Sequence, residues 1–141
     1  KIETSIIRFY AGHKFTEFRT PLSFPGSVLK EVGFPVPEQQ IEFKKDKNSD
    51  DVYAKVSQEK IEVVDADVLF IALDPDSGKN FNRYQNNPLW QKLNVVKNQR
   101  VYTVNSGYWI FGNILSANAI LDDINKYIVK DELLISDNQN E

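Results

Sequence analysis

Val68-Leu69-Phe70-Ile71-Ala72-Leu73 is the longest uninterrupted apolar run in the chain. A strand with one face in water alternates apolar and polar residues, whereas a strand covered on both faces is apolar throughout, the habit of parallel sheets flanked by helices. Six residues suit a strand and fall far short of the roughly 20 that a membrane-spanning helix needs. Upstream, Thr4–Tyr10 (TSIIRFY) is rich in β-branched and aromatic residues and predicts a strand. Lys14–Arg19 (KFTEFR) predicts a second, charged strand at a sheet edge. Ser23-Phe24-Pro25 opens a helix, with proline in the first turn where its missing N–H is harmless. Phe24, Val28 and Val32 recur at four-residue steps, and Gly33 closes that helix. Phe34–Gln40 carries two prolines and reads as a loop, and Glu42–Asp51 mixes charges without a period, as a solvated connection does. Val52–Val56 predicts a short strand, and Ser57 an N-cap for a short helix over Gln58–Val64.

Downstream of the central run, Asp74–Tyr84 (DPDSGKNFNRY) reads as a long polar loop. Asn87-Pro88 pairs a cap with a first-turn proline and starts a helix with Leu89, Leu93 and Val96 as its stripe. Arg100–Val104 predicts another strand. Ile110, Ile114, Ala117, Leu121, Ile124 and Ile128 set out a last helix over about Ile110–Val129. Lys130–Glu141 is polar and reads as a frayed tail. Strands alternating with helices define an α/β fold with a mostly parallel central sheet and helices on both faces, a single Rossmann-like lobe. Ligands of such sheets sit beyond the carboxyl ends of the strands. Attention therefore falls on Tyr10–Thr20, Asp74–Tyr84 and Asn105–Phe111.

The 141 residues correspond to one domain and, at 41% hydrophobic, to a sizeable core. A net charge of −3 with both signs interspersed argues against a nucleic-acid partner. Without cysteine there is no disulfide, thiolate metal site or cysteine nucleophile, and with His13 as the single histidine neither a His-rich metal site nor a nucleophile–base pair can be assembled. The chain contains no methionine. We therefore expect it to be a piece of a longer polypeptide, in which any targeting segment would lie upstream.

Several motifs fail on inspection. Gly78-Lys79 lacks both the earlier glycine and the following Ser/Thr of a phosphate loop. Asp74 and Asp76 have calcium-loop spacing, but Gly78 and Gln85 stand where further ligands belong. Lys130-Asp131-Glu132-Leu133 spells a retention signal at an internal position. Asp65 and Asp67 flank a turn, Asp122 and Asp123 sit beside a helical stripe facing water, and neither pair points to acid–base catalysis. His13, in a glycine turn, reads as a solvated loop histidine. What remains is aromatic and basic. Arg8, Tyr10, Phe15, Phe18 and Arg19 lie at or after the first strand, Phe81 and Arg83 in the polar loop, and Tyr108 and Trp109 after the last strand. Aromatics with arginines suit a bulky, flat or anionic ligand. Trp109 is either a ligand wall or a core residue pinning the last helix. A small α/β enzyme or nucleotide-binding domain is the rival reading, as is a pure interaction domain, but the chain offers neither a glycine loop nor a base.

Val56-Ser57-Gln58-Glu59-Lys60-Ile61 through Asp65-Ala66-Asp67-Val68 resembles the S-x-E … D-A-D-V stretch of ABC-transporter solute-binding proteins for iron–siderophores. Asn87-Pro88-Leu89-Trp90-Gln91-Lys92-Leu93 with Arg100-Val101-Tyr102-Thr103-Val104 is similar to their P-x-W-x-x-L … R-V-Y-x-V run. Trp109, Gly112 and Ala119-Ile120-Leu121-Asp122-Asp123-Ile124 resemble their last helix. Phe24-Pro25-Gly26-Ser27-Val28-Leu29-Lys30-Glu31-Val32-Gly33, followed by Pro37 and Gln40, resembles an earlier segment, with Val36 where many members carry Arg. The resemblance runs in order from about Ile6 to Val129. It implies a clamshell of two α/β lobes joined by a long helix, of which residues 1–129 form the carboxyl-terminal lobe and the amino-terminal lobe is missing. It implies a periplasmic protein, or one anchored outside the cytoplasmic membrane, that hands a ferric siderophore, cobalamin or haem to an ABC permease. No chemistry and no cofactor are implied, iron entering only inside the siderophore. The ligand-binding candidates are Trp109, Tyr108, Arg8, Tyr10, Arg83 and Phe81, and the resemblance puts a permease-docking carboxylate at Glu31.

Overall fold

Val68–Leu73 forms an inner strand of a five-stranded sheet, in a computed structural model that describes residues 1–12, 14–45, 52–112 and 114–129. The strands are β1 (Thr4–Phe9), β2 (Thr16–Arg19), β3 (Tyr53–Val56), β4 (Val68–Leu73) and β5 (Val101–Asn105), in the order β3-β2-β1-β4-β5. β4 lies parallel to both β1 and β5, with Ile6 opposite Phe70 and Ala72 opposite Val104. β2 is antiparallel to both β1 and β3, so four strands point one way and β2 alone runs against them. The expected mostly parallel α/β sheet is therefore present.

The faces of β4 explain its composition. Leu69 and Ile71 join Ile7, Phe9, Phe18, Tyr84 and Trp90 in one core, while Val68 and Phe70 join Ile6, Leu29, Trp109, Ile120 and Ile128 in another. From Val68 to Ala72 neither face meets water. β2 departs from expectation, because it is not an edge strand but lies between β1 and β3 with all four residues buried. Its charges are tolerated there because Glu17 and Arg19 pair with each other on the same face.

Helix α1 (Phe24–Glu31) begins where the cap was read. Ser23 Oγ accepts from the Gly26 N–H at 3.1 Å and donates to the Thr20 carbonyl at 2.6 Å. Gly33, at φ +92°, ends the turn in the left-handed region that glycine tolerates. Helix α2 (Glu38–Lys45) starts inside the stretch read as loop, since both prolines precede its first turn. Its buried Gln40 donates to Ser5 Oγ at 2.7 Å. The rest of the charged connection, 46–51, lies outside the described residues, as do His13 and the tail 130–141.

Gln58–Val64 is a 3₁₀-helix with Ser57 at its cap position. Asp74–Tyr84 is not all loop, because α3 (Gly78–Gln85) occupies most of it and buries Asn80 and Tyr84. The helix expected from Asn87 divides into α4 (Pro88–Gln91) and α5 (Asn94–Lys97). Asn87 Oδ1 caps the first at the Leu89 N–H, and the Asp65 carboxylate caps the second, accepting from Asn94 N and Val95 N at 2.9 and 3.0 Å. Trp90, Leu93 and Val95 are buried, whereas Leu89 is exposed. The last helix starts later than expected, as α7 (Ile114–Ile124) continuing as a π-helical turn over Asn125–Val129, and a separate short helix, α6 (Ser106–Trp109), precedes it directly after β5. Among the described residues no helix is long and apolar enough to cross a membrane.

Candidate functional site

From β1 the chain lays β2 and β3 on one side and only later adds β4 and β5 on the other. The strand order reverses between β1 and β4, and at such a switch point α/β sheets open a crevice beyond the carboxyl ends. Arg8, near the end of β1, and Asp74, just after β4, meet across that point. Arg8 Nε and Nη2 donate to the two carboxylate oxygens of Asp74 at 2.9 and 2.7 Å. Nη1 donates to Tyr10 Oη at 3.2 Å. The guanidinium carbon lies 4.2 Å from the Tyr10 ring centroid and 4.6 Å from that of Phe111, so one cation touches two aromatic rings.

Glu17 stands opposite Arg8 in the β1–β2 register, its carboxylate 4.0 Å from Arg8 Nη1 and paired with Arg19. The corner thus holds Arg8 and Arg19 against Glu17 and Asp74, and its formal charges cancel. Burial pushes the Glu17 carboxyl pKa up, against the opposing pull of Tyr10, Arg19 and Arg8. Burial likewise raises the Tyr10 phenol, with help from a hydrogen bond to Glu17. Burial opposes the charge of Arg8, but Asp74, Tyr10 and Glu17 outweigh it and its pKa is raised.

Around this corner the rim is aromatic and cationic. The half-buried Phe15 packs edge-on to Tyr10, with centroids 6.4 Å apart. Lys55, opposite Glu17 in the β2–β3 register, holds its ammonium 4.8 Å from the Phe15 centroid. Phe111 is 66% exposed. Lys14 is exposed on the β1–β2 connection.

The candidates read from sequence are not all brought together. Arg8 and Tyr10 meet at the switch point. Phe81 packs on Phe9 and Trp90, at centroid distances of 5.0 and 6.0 Å, within the other core. Arg83 is exposed in the last turn of α3. Tyr108, half exposed, borders a groove of about 370 Å³ beside β5, together with Thr103, Asn105, Asp122 and Tyr127. Glu31 is exposed at the last residue of α1. Trp109 has no exposed surface. Its ring lies 4.6 Å from that of Phe70, and Nε1 donates to Asp123 Oδ2 at 2.8 Å. Of its two possible roles the structure gives it the core one, pinning α7, and Asp123 is its acceptor rather than a carboxylate turned only to water.

Asp65 and Asp67 are structural, the first capping α5 and the second accepting from Glu3 N at 2.8 Å. Sequence reasoning missed Asp74 as the partner of Arg8, and it missed Lys55 and Phe111 at the rim. Asp74 and Phe111 lie in segments marked as carboxyl-end loops, so their position was readable and their partner was not. Lys55 carried no signal, because only the β2–β3 register brings it beside Phe15.

No protein-family model matches the chain. It is 34% identical over 132 residues to the probable siderophore-binding lipoprotein YfiY of Bacillus subtilis, a match covering 89% of this chain and 40% of that protein. It is 39% identical over 109 residues to the achromobactin-binding periplasmic protein of Dickeya dadantii, covering 74% of this chain and 34% of that one. Among solved structures, Staphylococcus aureus SirA superposes with a TM-score of 0.76 at 22% identity, covering 90% of this chain and 48% of SirA. FhuD2 from the same organism, with bound ferrioxamine B, gives 0.69 at 20% identity over 92% of this chain and 48% of FhuD2. The similarity carried by the sequence motifs thus extends to named siderophore-binding proteins, and the fold is that of a part of their structures. The chain spans less than half the length of each relative.

Proposed function

We propose that this chain is the carboxyl-terminal ligand-binding lobe of a periplasmic or lipid-anchored protein that captures a ferric siderophore for an ABC-type importer. The observation that carries the reading is the ordered similarity to siderophore-binding relatives over 89% of the chain, joined to an aromatic and cationic rim at the switch point of the sheet. A ferric chelate arrives with its metal already coordinated, so the lobe need supply only walls and charge. Tyr10, Phe15 and Phe111 are the walls, and Lys14 and Lys55 the cations open to an anionic chelate. Tyr108 belongs to the site if a ligand extends toward β5. Glu31 is the docking carboxylate for the permease.

Calorimetric titration of the full-length protein with ferric citrate, ferrioxamine B, cobalamin and haemin tests this. A ferric chelate should bind most tightly, and the lobe alone should bind it at least tenfold more weakly, since half the enclosing wall is missing. Tightest binding of cobalamin or haemin would move the chain to a different cargo. Failure to bind any of the four would overturn the proposal. Glu31→Lys should leave binding unchanged and reduce uptake in cells.

A further inference from the structure

Arg8 is the residue that an anionic ligand would be expected to meet, yet its surroundings assign it other work. It is 9% exposed, and two of its three nitrogens are taken up by Asp74 in a fork-on-fork pair. The third nitrogen donates to Tyr10 Oη and also approaches Glu17. Its guanidinium also lies over the rings of Tyr10 and Phe111, 4.2 and 4.6 Å from their centroids. Arg8, Arg19, Glu17 and Asp74 cancel in formal charge, so these four groups together offer an anion no net positive charge. Phe111, by contrast, is 66% exposed, and its ring rests against the Arg8 guanidinium.

We infer that Arg8 is a positioning residue: clamped by Asp74 across the switch point, it fixes Tyr10 and Phe111 as two walls of the ligand crevice and leaves the ligand's charge to the exposed lysines. This rests on the proposed siderophore reading for its binding arm only. A lysine cannot replace Arg8 in this role, since an ammonium has neither the planar fork for Asp74 nor a flat face for both rings.

The two roles predict opposite signs for one substitution. If Arg8 met the ligand, Asp74→Asn would release it toward an anion, and ferric citrate would bind the full-length protein as well as before or more tightly. As a clamp, Asp74 should be needed, and Asp74→Asn should weaken ferric citrate binding about fivefold or more. Arg8→Lys should weaken it similarly while leaving the salt dependence of affinity unchanged, whereas Lys55→Gln should flatten that dependence. In the ligand-free protein, the Arg8 Nε–H proton should exchange slowly with water. The Tyr10 ring resonances should shift in Asp74→Asn, or in Arg8→Lys if the first variant does not fold. Unchanged or tighter binding in a folded Asp74→Asn variant, or a rapidly exchanging Arg8 Nε–H, overturns the assignment. If the wild type binds no ferric chelate, the functional proposal falls, and the clamp stands or falls on the proton exchange and ring shifts alone.

Discussion

On one side of β1, Ile7 and Phe9 meet Leu69, Ile71 and Phe18, and Tyr84 and Trp90 close over them. On the other side Ile6 meets Phe70 and Trp109, but two residues further along the strand turns to charge with Arg8, Glu17 and Asp74. Alternate residues of the same six-residue strand thus serve different ends. The first face is apolar to its carboxyl end and asks only for shape. The second is apolar where helices cover it and becomes a paired-charge corner where the sheet opens. Charge on this face is confined to that corner because it is stable there only while every member keeps its partner.

The strongest test of that contrast is Trp109→Ala. Removing the indole from between Phe70 and α7 should cost about 3–5 kcal/mol in denaturant unfolding, with ligand affinity per folded molecule preserved. A normal melting temperature with weakened binding would return Trp109 to the ligand side. Next comes Tyr84→Phe on the apolar face. Its hydroxyl accepts from Thr16 N at 3.0 Å and donates to Val56 O at 2.7 Å, tying α3 to two strands. Leaving those buried groups unpaired should cost about 1–3 kcal/mol by the same measurement. Asp65→Ala removes the α5 cap and should cost about 1 kcal/mol without touching either face, a control for changes outside the comparison.

The smallest effect concerns Glu17 and is read as a pH trend. Its pKa in the folded protein is raised, so the fold favours the neutral carboxyl over the carboxylate. The resulting stabilisation is fully present below the usual carboxylate range and is lost as pH rises through the raised value. Wild type should therefore lose stability relative to Glu17→Gln on going from pH 4 to pH 8. The opposite trend would make Glu17 a net-stabilising ion and the corner tighter than described.

Much of this architecture is legible in the sequence, for reasons that differ by element. β4 announces itself because burial on both faces demands an unbroken apolar run. Ser23 and Asn87 announce helix starts because capping is local. α3 escapes because its buried positions are Asn80 and Tyr84, polar residues whose partners are Phe15 O on the β1–β2 connection and Val56 O on β3, both distant in sequence. α2 escapes for a similar reason, its one fully buried side chain being Gln40 on Ser5. Trp109 illustrates the limit at the site. Its position after a strand was correct, but its burial depends on Phe70 and on Asp123, fourteen residues later, and no local pattern records either. The ion pair of Arg8 and Asp74 spans 66 residues, and only the strand order makes them neighbours.

β1 also sets a timetable. It pairs with β2 across a short connection, a hairpin of the kind that closes in about 1–10 μs. Its other edge waits for β4, Thr4 pairing with Val68. At ribosomal speeds of about 5–20 residues per second, the second partner is made about 3–13 s after the first strand. Throughout that interval the nascent chain carries a strand containing Ile6 and Ile7 with one row of amide groups open, a template for pairing with any neighbouring chain. The feature that places Arg8 against Asp74 in the finished molecule thus also leaves an open strand edge in the half-made one.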